Sequence, residues 1–74
     1  MKIVERTLYL IEKHGLTKNK LSVQSGISSG LIGDWVAGRK EPSLRNAIKI
    51  ADYFDVSLDY LVGRTEISEI NKSD

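Results

Sequence analysis

Residues 17–38 have the sequence TKNKLSVQSGISSGLIGDWVAG, which predicts two short helices joined by a turn. Thr17 and Ser28 each stand just before a helical stretch, where a hydroxyl can accept a hydrogen bond from a free amide of the first turn. Gly26 lies between the two stretches and tolerates the positive φ that a tight turn requires. Gly38 ends the second stretch. Because the connection is so short, the two helices are expected to cross steeply.

The inner side of this helix pair is predicted from its apolar residues. A small residue is needed where the helices meet, and Ser22 can supply it. The predicted motif core is Leu21, Ser22, Gly26, Ile27, Ile32 and Trp35. Trp35 could instead be an exposed stacking platform, but an aromatic residue at this spacing is more often buried.

With its inner side buried, the second of these helices must present its other side to solvent. The residues on that side are Ser28, Ser29, Gly30, Gly33 and Asp34. Most of these side chains are short or absent, so the surface of a partner can come close to the helix backbone.

The flanking sequence predicts three more helices. A first helix ends at Gly15, and its apolar stripe is Ile3, Val4, Thr7, Leu8, Leu10 and Ile11. A fourth begins after Pro42 and Ser43, with a predicted buried stripe of Leu44, Ala47, Ile48, Ala51 and Phe54. A fifth begins after Ser57 and ends at Gly63, with apolar residues Leu58, Leu61 and Val62. The sequence therefore predicts an all-α, compact five-helix domain.

Domain boundaries follow from these helices and from the length of the chain. Because 74 residues can surround only one core, we predict one domain over residues 1–63 and a polar C-terminal tail over 64–74, which we expect to fray. Four apolar or aromatic residues near the C-terminal end could be core or a dimer surface: Tyr53, Phe54, Tyr60 and Leu61.

Composition excludes several classes of function. The chain has no cysteine and one histidine, which argues against disulfides, zinc fingers and other metal sites. For His14, capping or solvation is favoured over catalysis, because no paired acid and base, metal cluster or phosphate loop accompanies it. No enzyme activity, cofactor or small-molecule substrate is expected. The N-terminus lacks the pattern of a signal peptide and no apolar run could span a membrane, so we expect a cytoplasmic protein.

The charge is unevenly distributed, although the net charge is only +1. Residues 17–45 contain five basic and two acidic residues, a net +3, whereas residues 46–74 contain three basic and six acidic residues, a net −3. This asymmetry could be accidental, or it could orient the domain on a polyanion such as nucleic acid.

Two stretches together resemble a known family. LTKNKLSVQSGISSGLIGDWVAGRKEPSL (16–44) and IKIADYFDVSLDYLVGR (48–64) resemble the lambda-repressor-like group of phage Cro and CI repressors and their bacterial relatives, the XRE family. The resemblance extends over roughly residues 3–63. It rests on the joint spacing of Leu21, Ser22, Gly26, Ile27, Ser28, Ile32, Trp35, Gly38, Pro42 and Ser43. One departure is Ser22, where relatives usually carry alanine.

The resemblance implies that helices 2 and 3 form a helix-turn-helix and that helix 28–37 enters the DNA major groove. Base-contacting positions would be Ser28, Ser29, Gly30, Gly33 and Asp34. Asp34 could accept a hydrogen bond from a cytosine amino group, repel a phosphate, or pair with Lys18, Lys20 or Arg39. Phosphate contacts would come from Thr17, Lys18, Lys20, Arg39, Lys40 and Arg45.

The function implied is that of a sequence-specific regulator that binds double-stranded DNA. A repressor acting as a homodimer on an inverted-repeat operator fits the family best. The alternative is an antitoxin-like interaction module whose partner is a protein.

Overall fold

The computed structural model describes residues 2–69, which form five α-helices. They are α1 (Lys2–Lys13), α2 (Lys18–Ser25), α3 (Ser29–Val36), α4 (Leu44–Phe54) and α5 (Leu58–Val62). No strand occurs within that range. The all-α fold predicted from the sequence is confirmed.

Side-chain caps fix where four of the helices begin. Thr17, Ser28, Ser43 and Ser57 have extended backbone angles. The hydroxyl of each accepts a hydrogen bond from the amide three residues later, at 3.0–3.2 Å. Directly after α2, Gly26 has φ 77°, the positive value that the turn before α3 requires. The predicted helix starts and the predicted turn are confirmed.

One apolar core lies between the helices. It consists of Ile3, Leu10, Ile11, Leu21, Ile27, Ile32, Trp35, Ala47, Ile50, Ala51, Phe54, Val56 and Leu61. α1 packs against α3, α4 and α5, while α2 packs against α3 and α4. Within the described residues, α3 is therefore held by α1 and α2 and keeps an opposite side that faces solvent.

The buried face of α4 differs from the predicted stripe. Leu44 and Ile48 are 69% and 43% exposed, and Ile50 is buried instead. The other predicted residues, Ala47, Ala51 and Phe54, are buried. The apolar residues of α4 form two overlapping stripes at helical spacing. Packing against α1, α2 and α5 selects the stripe that contains Ile50 and leaves Leu44 and Ile48 outside.

Arg6 is a buried charged residue that the apolar pattern did not reveal. Its guanidinium donates hydrogen bonds to the carbonyl oxygens of Tyr60 and Thr65 and to the carboxylate of Glu66. It also lies over the Tyr60 ring, 4.3 Å from the ring centroid. Arg6 therefore connects α1 to the chain that follows α5.

The first part of the predicted tail is held against the domain. Besides the bonds from Arg6, the amide of Ser57 donates to the carbonyl of Ser68 at 2.8 Å. The expectation of a frayed tail is therefore wrong for residues 65–68. Residues 70–74 of that tail lie outside the described residues.

The aromatic residues near the C-terminal end divide between core and surface. Phe54 and Leu61 are buried, whereas Tyr53 and Tyr60 are half-buried. The ring of His14 lies beside Phe54, with 5.1 Å between the ring centroids. His14 thus packs against the core edge, a contact that the sequence did not predict.

Candidate nucleic-acid interface

The turn between α2 and α3 is braced by two serine hydroxyls. Ser22 Oγ donates to the carbonyl of Ile27 at 2.6 Å, directly across the turn. Ser25 Oγ donates to the carbonyl of Leu21 at 2.6 Å and accepts from the amide of Ile27 at 3.3 Å. The serine at position 22, where the related family usually has alanine, thus supplies an extra hydrogen bond. Ser25 was missed from the sequence, although its place directly before Gly26 is typical of a turn-bracing serine.

The inner side of α3 is fastened to the core. Ile32 and Trp35 are buried, as are Leu21 of α2 and Ile27 of the turn. Trp35 is therefore a core residue and does not offer an exposed stacking surface. Since these residues fix the rotation of α3 about its axis, they also fix which residues face outward.

The outer side of α3 is open and nearly flat. Ser28, Ser29 and Gly30 are exposed, and Gly33 and Asp34 are partly exposed. A Cβ added at Gly33 would meet no atom within 4 Å, and one added at Gly30 would lie 3.7 Å from Ser28 Oγ, an ordinary contact. Packing inside the domain therefore requires neither glycine. Their absent side chains leave the helix backbone accessible to a partner surface.

Asp34 is paired with the two basic residues that follow α3. Arg39 Nε lies 2.9 Å from Asp34 Oδ1, and Lys40 Nζ lies 3.8 Å from Asp34 Oδ2. Among the alternatives that the sequence left open, the free domain has the pairing with Arg39. Within residues 2–69, Asp34 forms no ion pair with Lys18 or Lys20.

The predicted phosphate-binding residues lie at three helix ends. Thr17, Lys18 and Lys20 stand at the start of α2, Arg39 and Lys40 follow α3, and Arg45 lies in the first turn of α4; all six are exposed. The structure brings Arg39 and Lys40 to α3 through Asp34. In the described part of the chain, no ion pair joins Lys18, Lys20 or Arg45 to Asp34.

Other kinds of site receive no support from the described residues. Over residues 2–69, no group of three or more histidine, aspartate or glutamate side chains is placed to hold a metal ion. None of the five helices has the length and apolar character that crossing a membrane requires.

Comparison with known proteins identifies the family. A family model described as helix-turn-helix matches residues 8–61. The uncharacterized HTH-type transcriptional regulator YobD of Bacillus subtilis (strain 168) is 34% identical over 62 residues, covering 84% of this chain and 55% of that protein. The HTH-type transcriptional regulator ImmR of the same organism is 25% identical over 63 residues, covering 85% of this chain and 50% of that protein. No solved structure matches at a comparable level of significance.

The matched region contains the whole of α2, α3 and α4 and therefore the complete candidate interface. The chain spans about half the length of the curated relatives it matches. Proteins of this family bind double-stranded DNA and are not enzymes. With a buried inner side on α3, an open outer side and this family match, the chain belongs to the helix-turn-helix family of DNA-binding transcriptional regulators of the Cro/CI type.

Proposed function

We propose that this chain is a sequence-specific transcriptional regulator, most simply a repressor, that inserts helix 28–37 into the major groove of an inverted-repeat operator. The observation that carries the proposal is that α3 is buried on one side and open to solvent on the other. Ile32 and Trp35 hold the helix in the core while the side from Ser28 to Asp34 stays open. A major groove about 12 Å wide admits an α-helix presented in this way.

Base recognition is proposed for Ser28, Ser29, Gly30, Gly33 and Asp34. Serine hydroxyls can donate or accept hydrogen bonds, so they discriminate weakly between bases. Ser28 Oγ already accepts the capping bond from the amide of Leu31 at 3.2 Å, but its hydroxyl hydrogen can still donate to a base. With so few long polar side chains on this surface, part of the specificity is assigned to DNA shape.

Phosphate binding is proposed for Thr17, Lys18, Lys20, Arg39, Lys40 and Arg45. The first turn of α2 offers free amides and the positive end of the helix dipole, and the basic side chains add charge. If each domain neutralises two or three phosphates and two domains bind together, log affinity falls with log salt with a slope of roughly −4 to −5. These contacts position the domain without selecting a sequence.

A homodimer is proposed because two-fold symmetric operators are bound by two-fold symmetric proteins. In helix-turn-helix dimers the half-sites lie one turn of DNA apart, about 34 Å. A regulator of this kind acts where the bacterial chromosome lies, so the cytoplasmic location remains part of the proposal.

Random-site selection followed by footprinting tests the proposal. We expect one enriched sequence with two symmetric halves about one helical turn apart. Replacing Arg39 and Lys40 together by alanine should weaken binding to every duplex and flatten the salt slope by about one to two for each domain. The matched control replaces Lys13 and Arg64 by alanine, which removes the same charge from exposed positions outside the proposed interface. A wild-type chain that enriches no sequence refutes the proposal, and equal losses in both double variants remove the loop from the interface.

A second candidate function is binding of a protein partner, as an antitoxin does. The observation that favours it is the exposure of Leu44 and Ile48 on one face of α4. Exposed apolar residues that share a helix face are typical of protein contacts. Tight, DNA-independent capture of the product of a neighbouring gene would support this candidate. If the Ile48→Lys variant no longer captures that protein, the binding site lies on the face of α4 that carries Leu44 and Ile48.

A further inference from the structure

The Asp34 carboxylate occupies an unusual position for a DNA-binding surface. It lies on the outer side of α3, and its two oxygens are shared between Arg39 and Lys40, at 2.9 and 3.8 Å. These two cations are also the ones proposed to bind phosphate. The Asp34 carboxylate, which holds Arg39 and Lys40 in the free domain, therefore competes with the DNA backbone for these two side chains when DNA binds.

The loop does not depend on this carboxylate for its path. The backbone amides of Arg39 and Lys40 donate to the backbone carbonyl of Asp34, at 2.8 and 3.4 Å, and the amide of Gly38 donates to the carbonyl of Trp35 at 3.1 Å. Removing the side-chain charge leaves all three backbone bonds in place. The carboxylate is thus not needed to hold the loop against α3.

The two ion pairs are also weak enough to be exchanged. The side chains of Arg39 and Lys40 are 66% and 63% exposed, and that of Asp34 is 22% exposed. Exposed pairs of this kind shift an equilibrium by at most about fivefold each. Arg39 is bound through Nε, and within the described residues its terminal nitrogens make no hydrogen bond to the carboxylate.

We propose that Asp34 couples base recognition to phosphate binding by exchanging partners. In the free domain it holds Arg39 and Lys40; at a matching site it accepts a hydrogen bond from a cytosine amino group, and both cations are released to the DNA backbone. This inference rests on the proposed function and adds a specificity-determining mechanism to it.

The exchange penalises binding to the wrong sequence. Where the facing base is guanine or thymine, its major-groove edge offers the carboxylate no amino group, so each phosphate contact by Arg39 or Lys40 leaves a negative charge close to other phosphates. At a matching site the cytosine amino group replaces the cations as partner, and this penalty disappears. Asp34 thus lowers affinity for random duplexes more than affinity for the operator.

Asp34→Asn tests the mechanism, because it removes the charge while keeping the size of the side chain. Equilibrium binding is measured between about 50 and 200 mM salt, on the selected site and on a random duplex. We expect affinity for the random duplex to rise about twofold to tenfold, with a salt slope steeper by about one to two for each domain. We also expect the selected site to lose its preference for cytosine at one position of each half. Either result without the other overturns the coupling.

Glu41→Gln is the matched control. Glu41 lies in the same loop and forms no ion pair within residues 2–69, so its substitution changes the net charge alone. If Glu41→Gln raises random-duplex affinity as much as Asp34→Asn, net charge explains the effect and the proposal fails. Urea unfolding of Asp34→Asn should shift the unfolding equilibrium by no more than the two ion pairs supply, about fivefold each, since the backbone bonds remain. If the wild type selects no duplex, it is the proposed function that fails.

Discussion

Gly33→Ala is expected to change folding and DNA binding in opposite directions. Gly33 lies in the middle of α3 with an ordinary negative φ, and an added Cβ meets no atom within 4 Å. Nothing inside the domain therefore opposes the substitution. Because glycine in a helix interior costs about 0.5–1 kcal/mol relative to alanine, the variant should be more stable by that amount. For a domain of this size, the gain corresponds to a rise in Tm of roughly 2–8 °C.

Binding to the operator should nevertheless weaken. If the outer side of α3 lies against base edges, a methyl group at position 33 occupies space that the groove needs. We expect a loss of about tenfold or more on the selected site, or roughly 1.4 kcal/mol of binding free energy. Urea unfolding with an unchanged m-value measures the first effect, and titration of the selected duplex measures the second.

Gly38→Ala is the control for the stability argument. Its added Cβ also meets open space, but Gly38 has φ 76°, so alanine there should destabilise the fold by about 1–2 kcal/mol. A Gly33→Ala variant that is less stable than the wild type would refute the account of α3. A variant that is more stable and binds the operator unchanged would show that this part of α3 does not approach the DNA.

Two further predictions concern the core and the contacts that Arg6 makes with α5 and the residues after it. Leu21→Ala should lower the free energy of unfolding by about 2–5 kcal/mol, because Leu21 is fully buried; Val23→Ala on the exposed side of the same helix should change it by no more than about 0.5 kcal/mol. Arg6→Met should lower it by roughly 2 kcal/mol through lost bonds to two backbone carbonyls, whereas Glu66→Gln should lower it by less than about 1 kcal/mol, because Glu66 is largely exposed. Denaturant unfolding of the four variants measures these changes in the free energy of unfolding. Equal losses for Leu21→Ala and Val23→Ala, or for Arg6→Met and Glu66→Gln, would contradict the prediction for that pair.

Local signals in the sequence are sufficient to predict where four of the helices begin and where the chain turns between α2 and α3. Capping hydroxyls and a glycine with positive φ act within a few residues of themselves, so they can be recognised without knowledge of the fold. The buried face of α4 is different, because two overlapping apolar stripes satisfy the same spacing. Only the neighbours of α4 distinguish Ile50 from Ile48, and their positions are set by the whole fold.

The open side of α3 could be predicted because it is the complement of a buried side. Once Ile32 and Trp35 are assigned to the core, helical geometry places Ser29 and Gly33 on the other side. The contacts of Arg6 and Asp34 could not be predicted in the same way. Arg6 meets residues more than fifty positions away, and Asp34 could have met any of several nearby cations. Long side chains with many rotamers take partners that only the tertiary structure defines.

The division of labour within α3 explains how so short a helix can present a defined surface. Eight residues, two of them glycine, are too few to form a stable helix alone. The helix is maintained by the cap at Ser28, by the buried Ile32 and Trp35, and by the serine-braced turn that joins it to α2. Since none of these contacts uses the outer positions 29, 30 and 33, those residues are free to suit a DNA sequence. Apart from Ser28, which caps α3 and is also proposed to contact bases, stability and the proposed specificity are therefore carried by different residues of one helix. Substitutions at positions 29, 30 and 33 are expected to change the operator preference while the fold remains.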